Sequence, residues 1–444
     1  MHFSLRYIGM LSCFALAVAH LSVGQTPQRD TKHATPQTGG TADVQINACI
    51  AALPQYGGIC DFRSFGATSQ TVAAPIKIGP SPKRVELLLD ARTLFNITDA
   101  SESDIFAVGD GSSVVCDMMG EAANFGGEAG MYLAATAKVK SIIASAPRNG
   151  WSIFITKGCT LLGNPSATVT GALLDVQGTG ASSTIEDTTI VVNGPFIGFR
   201  AQPGTSTGMS DLTIWNLTSD SGGYDVTGAQ PCVIQGSGAT QQVSNITFFG
   251  GSCQHAGPNE YELKIDGQND GSGAVPGVSG IFFAGTWHME TAVPSSGPPG
   301  SLGIKINDAA NIKFDGADIS GAGVVSDYTI SESVPNLVQD IEIGTCWCSS
   351  GSLANYIVNT AAGGKDVPNV NSPPYEQQAY MFKAGKPPVG AVAGLTPCSA
   401  GTEGQHSVAT NCNAACLAGH ACTAGGTVHC ELYCNGTSLI ETGR

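Results

Sequence analysis

One short pattern recurs along this chain and limits what it can become. A polar turn residue is followed by a strand of alternating apolar and polar side chains and a closing glycine, as in Val243-Ser244-Asn245-Ile246-Thr247-Phe248-Phe249-Gly250. The turn position returns as Asp187, Asp211, Asn245, Gly280, Asn311 and Asp340, at intervals of 24, 34, 35, 31 and 29 residues. Repeats of about 20 to 50 residues are stacked units that bury a core only together.

A second series of short alternating strands lies between them: Leu174-Asp175-Val176, Val233-Ile234-Gln235-Gly236, Leu263-Lys264-Ile265-Asp266-Gly267, Ile304-Lys305-Ile306-Asn307 and Tyr328-Thr329-Ile330-Ser331. Successive side chains of a strand point to opposite faces. Ile246/Phe248, Ile312/Phe314 and Ile341/Ile343 therefore face one way, and Thr247, Lys313 and Glu342 the other. Stacking coil on coil at about 4.8 Å turns the inward set into apolar ladders, with Asn, Asp and Gly at the corners. The 58 glycines and a charged content of only 12% suit such a thin, turn-rich core.

The repeat resembles the pectin-lyase-like right-handed parallel β-helix, over residues 42–360. The opening from Ala42 to Pro54, followed by Gly57-Gly58-Ile59-Cys60-Asp61, is similar to the helix-then-first-strand entry of that family. The resemblance implies an all-β solenoid with an N-terminal capping helix. It also implies a secreted, bacterial-type setting among largely uncharacterised proteins, polysaccharide lyases and glycosidases. It assigns no activity, because fold does not fix function.

Residues 1–24, with one cation at Arg6 and an apolar run from Met10 to Val23, read as a secretory signal peptide. Residues 25–41 are polar and read as a flexible leader. Residues 361–397 are proline-rich and read as a linker. Cys398, Cys412, Cys416, Cys422, Cys430 and Cys434 then mark residues 398–444 as a small module in which disulfides substitute for a core. His406, His420 and His429 keep zinc as the alternative there, although no C-x-x-C pair exists. Setting Cys13 aside leaves 14 of the 15 cysteines, an even number that suits an oxidising, extracellular compartment. Ile46, Cys49, Ile50 and Leu53 share one helical face, which turns Cys49 toward Cys60 on the first strand. Cys116 with Cys159 and Cys232 with Cys253 are further coil-to-coil candidates that sequence alone does not assign.

Thirty-five acidic against 20 basic residues give a formal charge of −15. That balance argues against nucleic acid or an anionic membrane as partner. Beyond the signal no apolar run reaches the length of a membrane span, so no membrane insertion is expected. Oligomeric state is not legible. G-x-S-x-G, H-E-x-x-H, phosphate-loop and dinucleotide motifs are missing, as are the signatures of polygalacturonases and pectate lyases. Asp266-Gly267-Gln268-Asn269-Asp270-Gly271 opens like a calcium loop, but Gln268 and Gly277 stand where ligands belong. The stretch reads as an inter-coil turn with Ca2+ as its alternative, and no metal or other cofactor is expected.

Aligning the coils on their closing glycines puts Gly251 to His255, Gly285 to Glu290, Gly316-Ala317-Asp318 and Gly344 to Cys348 in one column. Glu290 and Asp318 are the candidate catalytic carboxyls there, with His288 assisting, since glycoside hydrolysis needs two carboxyls about 5 to 9.5 Å apart. His255, Trp287 and Trp347 are candidate substrate contacts, because indoles stack on the apolar faces of sugars. The alternative is that both tryptophans cover an apolar edge and the histidines occupy turns. A second outward column holds Lys264, Asp266, Lys305, Asn307 and Asp308, in which Lys264 and Lys305 could bind and deprotonate a uronate. Two classes of function follow. One is a secreted polysaccharide lyase or glycoside hydrolase; the other is a non-catalytic adhesin or structural solenoid that binds a surface glycan.

Overall fold

The computed structural model describes residues 31–33, 40–117, 130–145, 154–178, 183–204, 208–221, 226–237, 241–268, 275–290, 302–320, 328–333, 337–348, 357–359, 389–390, 406–412, 428–434 and 437–441. The expected signal peptide and most of the expected linker lie outside them. Thr31–His33, in the stretch expected as a flexible leader, form a strand that pairs in parallel with Ile59–Asp61.

Helix α1, Ala42–Ala52, starts after Thr41, whose backbone is extended (φ −67°, ψ 156°). Ile46, Cys49, Ile50 and Leu53 are all buried, so the face set by their spacing is the one that closes the end of the solenoid. Asp43 accepts the Ala73 amide at 3.0 Å. Lys83 Nζ donates to the Ile50 and Ala51 carbonyls at 2.8 and 3.0 Å, which satisfies groups that a helix end leaves without partners. A disulfide joins Cys49 to Cys60, with Cα atoms 6.1 Å apart.

Two long parallel sheets form the walls. A ten-stranded sheet stacks Ile76–Ile78, Asp104–Val108, Ser141–Ser145, Ala172–Gly178, Ile197–Pro203, Gln230–Gln235, Tyr261–Asp266, Leu302–Asn307, Tyr328–Ser331 and Ile357–Asn359. Its register puts Leu174, Phe199, Cys232, Leu263, Ile304 and Tyr328 in one inward file. The sixteen-stranded sheet begins as two stacks that merge at Leu212–Asp220. Ser183–Glu186 pair with Leu212–Trp215, and Thr189–Val191 with Thr218–Asp220. From there each coil carries one bent strand: Val243–Gln254, Val278–Glu290, Ala309–Ser320 and Gln339–Cys348. The chain is a right-handed parallel β-helix, the hand that parallel crossovers take.

The corners explain the repeat. All six repeating turn residues have positive φ, between 47° and 67°. Asp211, Asn245, Gly280, Asn311 and Asp340 form one column. Asp187 does not join it. Glu186 is paired with Trp215 and Trp215 with Phe249, so Asp187 belongs to a second column with Asn216 and Gly250. Short amides knit the columns: Asn216 Nδ2 donates to Asp187 Oδ1 at 3.0 Å and Asn245 Nδ2 to Asp211 Oδ1 at 3.3 Å. Asn, Asp and Gly are the residues that tolerate this left-handed backbone.

Between the walls, Ile214, Phe248, Phe283 and Phe314 follow one another in register. The Phe248 and Phe283 rings stack at 4.5 Å, and Phe283 and Phe314 at 4.4 Å, nearly the spacing of the strands themselves. Further disulfides join Cys116 to Cys159 and Cys232 to Cys253. A separate four-stranded sheet follows, built from Val389–Gly390, His406–Cys412, Val428–Cys434 and Leu439–Glu441, with Ala409 and Leu432 buried. Its first pair is parallel and the others antiparallel. The cysteine side chains of this module lie outside the described residues.

Candidate functional site

The second arms of the bent strands build one outward face. Leu217, Ser219, Cys253, Trp287, Met289, Ala317 and Ile319 point inward and are buried. The residues between them point outward. Register places Thr218, Ser252, His288, Asp318 and Trp347 in one file, and Asp220 beside Gln254 in the next.

Histidine and carboxylate groups meet on this face. His288 Nδ1 lies 3.0 Å from Asp318 Oδ2, with the two side chains 38% and 37% exposed. His255 occupies a left-handed turn position (φ 58°) at the end of its arm. Its Nδ1 is 2.8 Å from Asp220 Oδ1, and its Nε2 is 3.8 Å from Glu290 Oε2. The His255 amide also donates to the Glu290 carbonyl, at 2.9 Å, which fixes the turn against the next coil. An ionised carboxylate accepts from Nδ1–H and leaves Nε2 as the basic nitrogen. The structure therefore brings His255, His288, Glu290 and Asp318 to one face, with Asp318 engaged by His288 and Glu290 beside His255. Glu290 and Asp318 sit on neighbouring strands two residues out of register, with backbone positions about 8 Å apart by strand geometry.

Trp287 is not a substrate contact. It is 1% exposed and packs edge-on against Phe248 and Phe283 at 5.1 and 5.4 Å. The cause is a bulge. Alignment on closing glycines expects Gly285 beside Gly316, but the register slips between Phe283 and Thr286, so that Thr286 takes that place. One residue of slip reverses the faces, turning Trp287 inward and His288 outward. Trp347 is in register with Asp318, and its side chain lies outside the described residues.

Lys264 and Lys305 lie on the other wall, in register with each other on the ten-stranded sheet. Lys264 Nζ pairs with Asp266 at 3.1 Å, and Lys305 Nζ lies 5.7 Å from the centre of the Tyr261 ring. Burial pushes the Asp266 carboxyl up, but the hydrogen bond from Asn307 and the Lys264 ammonium outweigh it and hold Asp266 below the usual carboxylate range. Asp308 is buried and accepts from the Ser333 amide and hydroxyl, both at 2.7 Å. Asp266 and Asp308 are thus ligated by the protein's own donors. Residues 269–274 of the calcium-like loop lie outside the described residues, among which no group of three His, Cys, Asp or Glu side chains is arranged to hold a metal.

Two clusters escaped the sequence reading. Trp215 and Phe249, outward on the first arms, stack at 4.1 Å and 12°, and Trp215 is 45% exposed. Alternation from Leu212 and Ile214 places Trp215 outward and could have found it. On the ten-stranded sheet, buried Asp175 receives Arg200 Nη2 and Nε at 2.8 and 3.2 Å, Gln202 Nε2 at 2.9 Å and Gln177 Nε2 at 2.8 Å. That hub needs the register Asp175 to Arg200 and Gln177 to Gln202, which the irregular coil lengths conceal.

No known protein family and no curated protein sequence matches the chain. In structure it is similar to two modules from Azotobacter vinelandii. The mannuronan C-5 epimerase AlgE4 A-module is 14% identical over 76% of this chain and 98% of that one, with a TM-score of 0.35. The AlgE6 A-module of the same kind of epimerase is 12% identical over 73% and 94%, also with a TM-score of 0.35.

Proposed function

We propose that this protein is exported and binds an extended, weakly charged polysaccharide across its bent strands. The observation that carries the reading is the outward Trp215–Phe249 stack, with its indole exposed. An exposed indole braced by a second ring on a rigid sheet suits the apolar face of a sugar. The surplus of acidic residues disfavours a polyanionic chain. Disulfides at three places along the solenoid support export to an oxidising compartment.

Of the chemistries expected from sequence, the lysine-based lyase gains least, because Lys264 is paired with Asp266 and Lys305 sits beside an aromatic ring. The separation of Glu290 and Asp318 suits a two-carboxyl hydrolase, but each carboxylate lies against an imidazole. Histidine–carboxylate pairing favours proton transfer through the imidazole. Affinity electrophoresis against neutral and acidic polysaccharides tests the binding. Retardation by at least one neutral polymer, lost in Trp215→Ala/Phe249→Ala, is expected. Equal retardation of the double variant would sink the platform.

A further inference from the structure

We infer that Ser252, His288 and Asp318 form a nucleophile, base and orienting acid, and that this line hydrolyses acyl esters carried on the bound glycan. The reaction deepens the glycan-binding reading and rests on it only for the identity of the polymer.

The three residues occupy consecutive strands in register, Ser252 beside His288 and His288 beside Asp318. All three lie on the outward side, since their inward neighbours Cys253, Trp287 and Ala317 are buried. Parallel strands are about 4.8 Å apart, so an imidazole on the middle strand can reach side chains on both of its neighbours. His288 Nδ1 is taken by Asp318 at 3.0 Å. The other ring nitrogen, Nε2, is then the bare acceptor, and the remaining neighbour is the serine. Ser252 is 6% exposed, which sets its hydroxyl at the floor of the face. Among the described residues no hydrogen bond joins Ser252 Oγ to His288 Nε2. A contact of this kind commonly closes only with substrate in place.

Two neighbouring features complete the site. The ladder slips between Phe249 and Ser252, where the strand that carries His288 has one residue more. A bulge leaves backbone groups outside regular pairing, and an amide freed there could serve an oxyanion. Phe249 precedes Ser252 by three residues, across the corner at Gly250 and Gly251, a chain distance of at most about 11 Å that puts the aromatic pair and the serine within reach of one polymer.

In the reaction, Ser252 Oγ adds to the acyl carbonyl carbon and its proton passes to His288 Nε2. The C–O bond to the sugar breaks, and His288 returns the proton to the departing sugar hydroxyl. Water then attacks the acyl-serine and gives its proton to His288; the acyl–Oγ bond breaks, His288 passes that proton to Ser252 Oγ, and the carboxylic acid leaves. Asp318 touches no substrate; it is a positioning residue that holds the tautomer.

The test uses the full chain, a fluorophosphonate probe and p-nitrophenyl acetate, followed by acetate release from an O-acetylated polysaccharide. Ser252 is expected to carry the probe in peptide mass spectrometry, and ester turnover to begin with a burst of one equivalent per chain. Ser252→Ala and His288→Asn should abolish both. Asp318→Asn should lower turnover by about 10^3 to 10^4-fold while shifting the pH profile, which a purely structural role would not do. Each variant is checked by thermal unfolding, and a folded wild-type chain that takes no label, or a Ser252→Ala chain that labels equally, overturns the assignment. The probe and the small ester need no platform. Labelled Ser252 without polysaccharide retardation would therefore overturn the polymer reading and keep the triad, and retardation without label would do the reverse.

Discussion

His288 and Asp318 stand directly opposite one another on neighbouring parallel strands, and their side chains meet outside the coil at 3.0 Å. Both are more than a third exposed, so water screens their attraction. Exposed pairs contribute about 0.2–1 kcal/mol. Asp318→Ala is therefore expected to fold as well as the parent, with less than about 1 kcal/mol lost in urea unfolding. In nitrogen NMR of the histidine ring the same change should erase the preference for the Nδ1–H tautomer. A loss of several kcal/mol would show instead that the pair is structural.

The two tryptophans whose side chains are described make opposite predictions. Trp215 is 45% exposed and Trp287 is 1% exposed. Iodide quenching of fluorescence should lose a component in Trp215→Phe and lose none in Trp287→Phe. Equal quenching in both variants would contradict the inward turn of Trp287 after the bulge.

Asp175 is fully buried against Arg200. Removing one charge of a buried pair leaves the other uncompensated, at a cost of about 3–5 kcal/mol, whereas replacing both by apolar groups is often neutral. Arg200→Met should lower the urea midpoint strongly, and Asp175→Leu/Arg200→Met should recover most of it. Additive losses in the double-mutant cycle would show that the two residues act independently.

Acid and base limits should separate by residue. Asp90 is held below its ordinary value of 3.8 chiefly by the side-chain hydrogen bond from Arg92, and Asp266 is held below 3.8 by donors that outweigh its burial. The unfolded chain takes up these protons first, so their contribution is complete above about pH 3.8 and is lost as pH falls through the folded values. Glu260 is shifted the other way by burial, above 4.5. Its contribution is complete below pH 4.5 and is lost as pH rises through the folded value. Asp266→Asn should flatten the loss of melting temperature below pH 4, and Glu260→Gln should raise melting temperature at pH 7. Unchanged curves in both would remove these groups from the pH response.

Much of the architecture was legible because the corners are chemically restricted. Left-handed backbone selects Asn, Asp and Gly, so the turn column could be read before any coordinate was known. Asp187 went astray for a reason visible in hindsight. Three successive strands carry two such corners five residues apart, at Asp211 and Asn216, Asn245 and Gly250, and Gly280 and Gly285. Its interval of 24 to Asp211 is short by that offset, while Asn216 lies 29 residues on, inside the range of the other repeats. The face bearing His255, His288, Glu290 and Asp318 was legible for the same reason. Its internal pairing was not, because a bulge shifts register without leaving a distinctive residue behind, and Trp287 was assigned to the wrong side in consequence. Ser252 was passed over because a lone serine signals nothing until register sets it beside a histidine.

The merger of two strand stacks at Leu212–Asp220 bears on how such a molecule can diversify. Upstream, the corner between the stacks differs in length from coil to coil: Arg63–Thr68 in one, Ala91–Thr93 in the next, and only Gly158–Cys159 and Asp187–Thr188 farther on. Downstream the corner is inside a continuous strand, and an insertion there would break the ladder on both sides. New specificity on the histidine-bearing coils must therefore arise by exchanging single outward side chains, while the upstream coils are free to acquire whole loops. Descendants of this fold would be expected to differ by point substitution at one end and by insertion at the other.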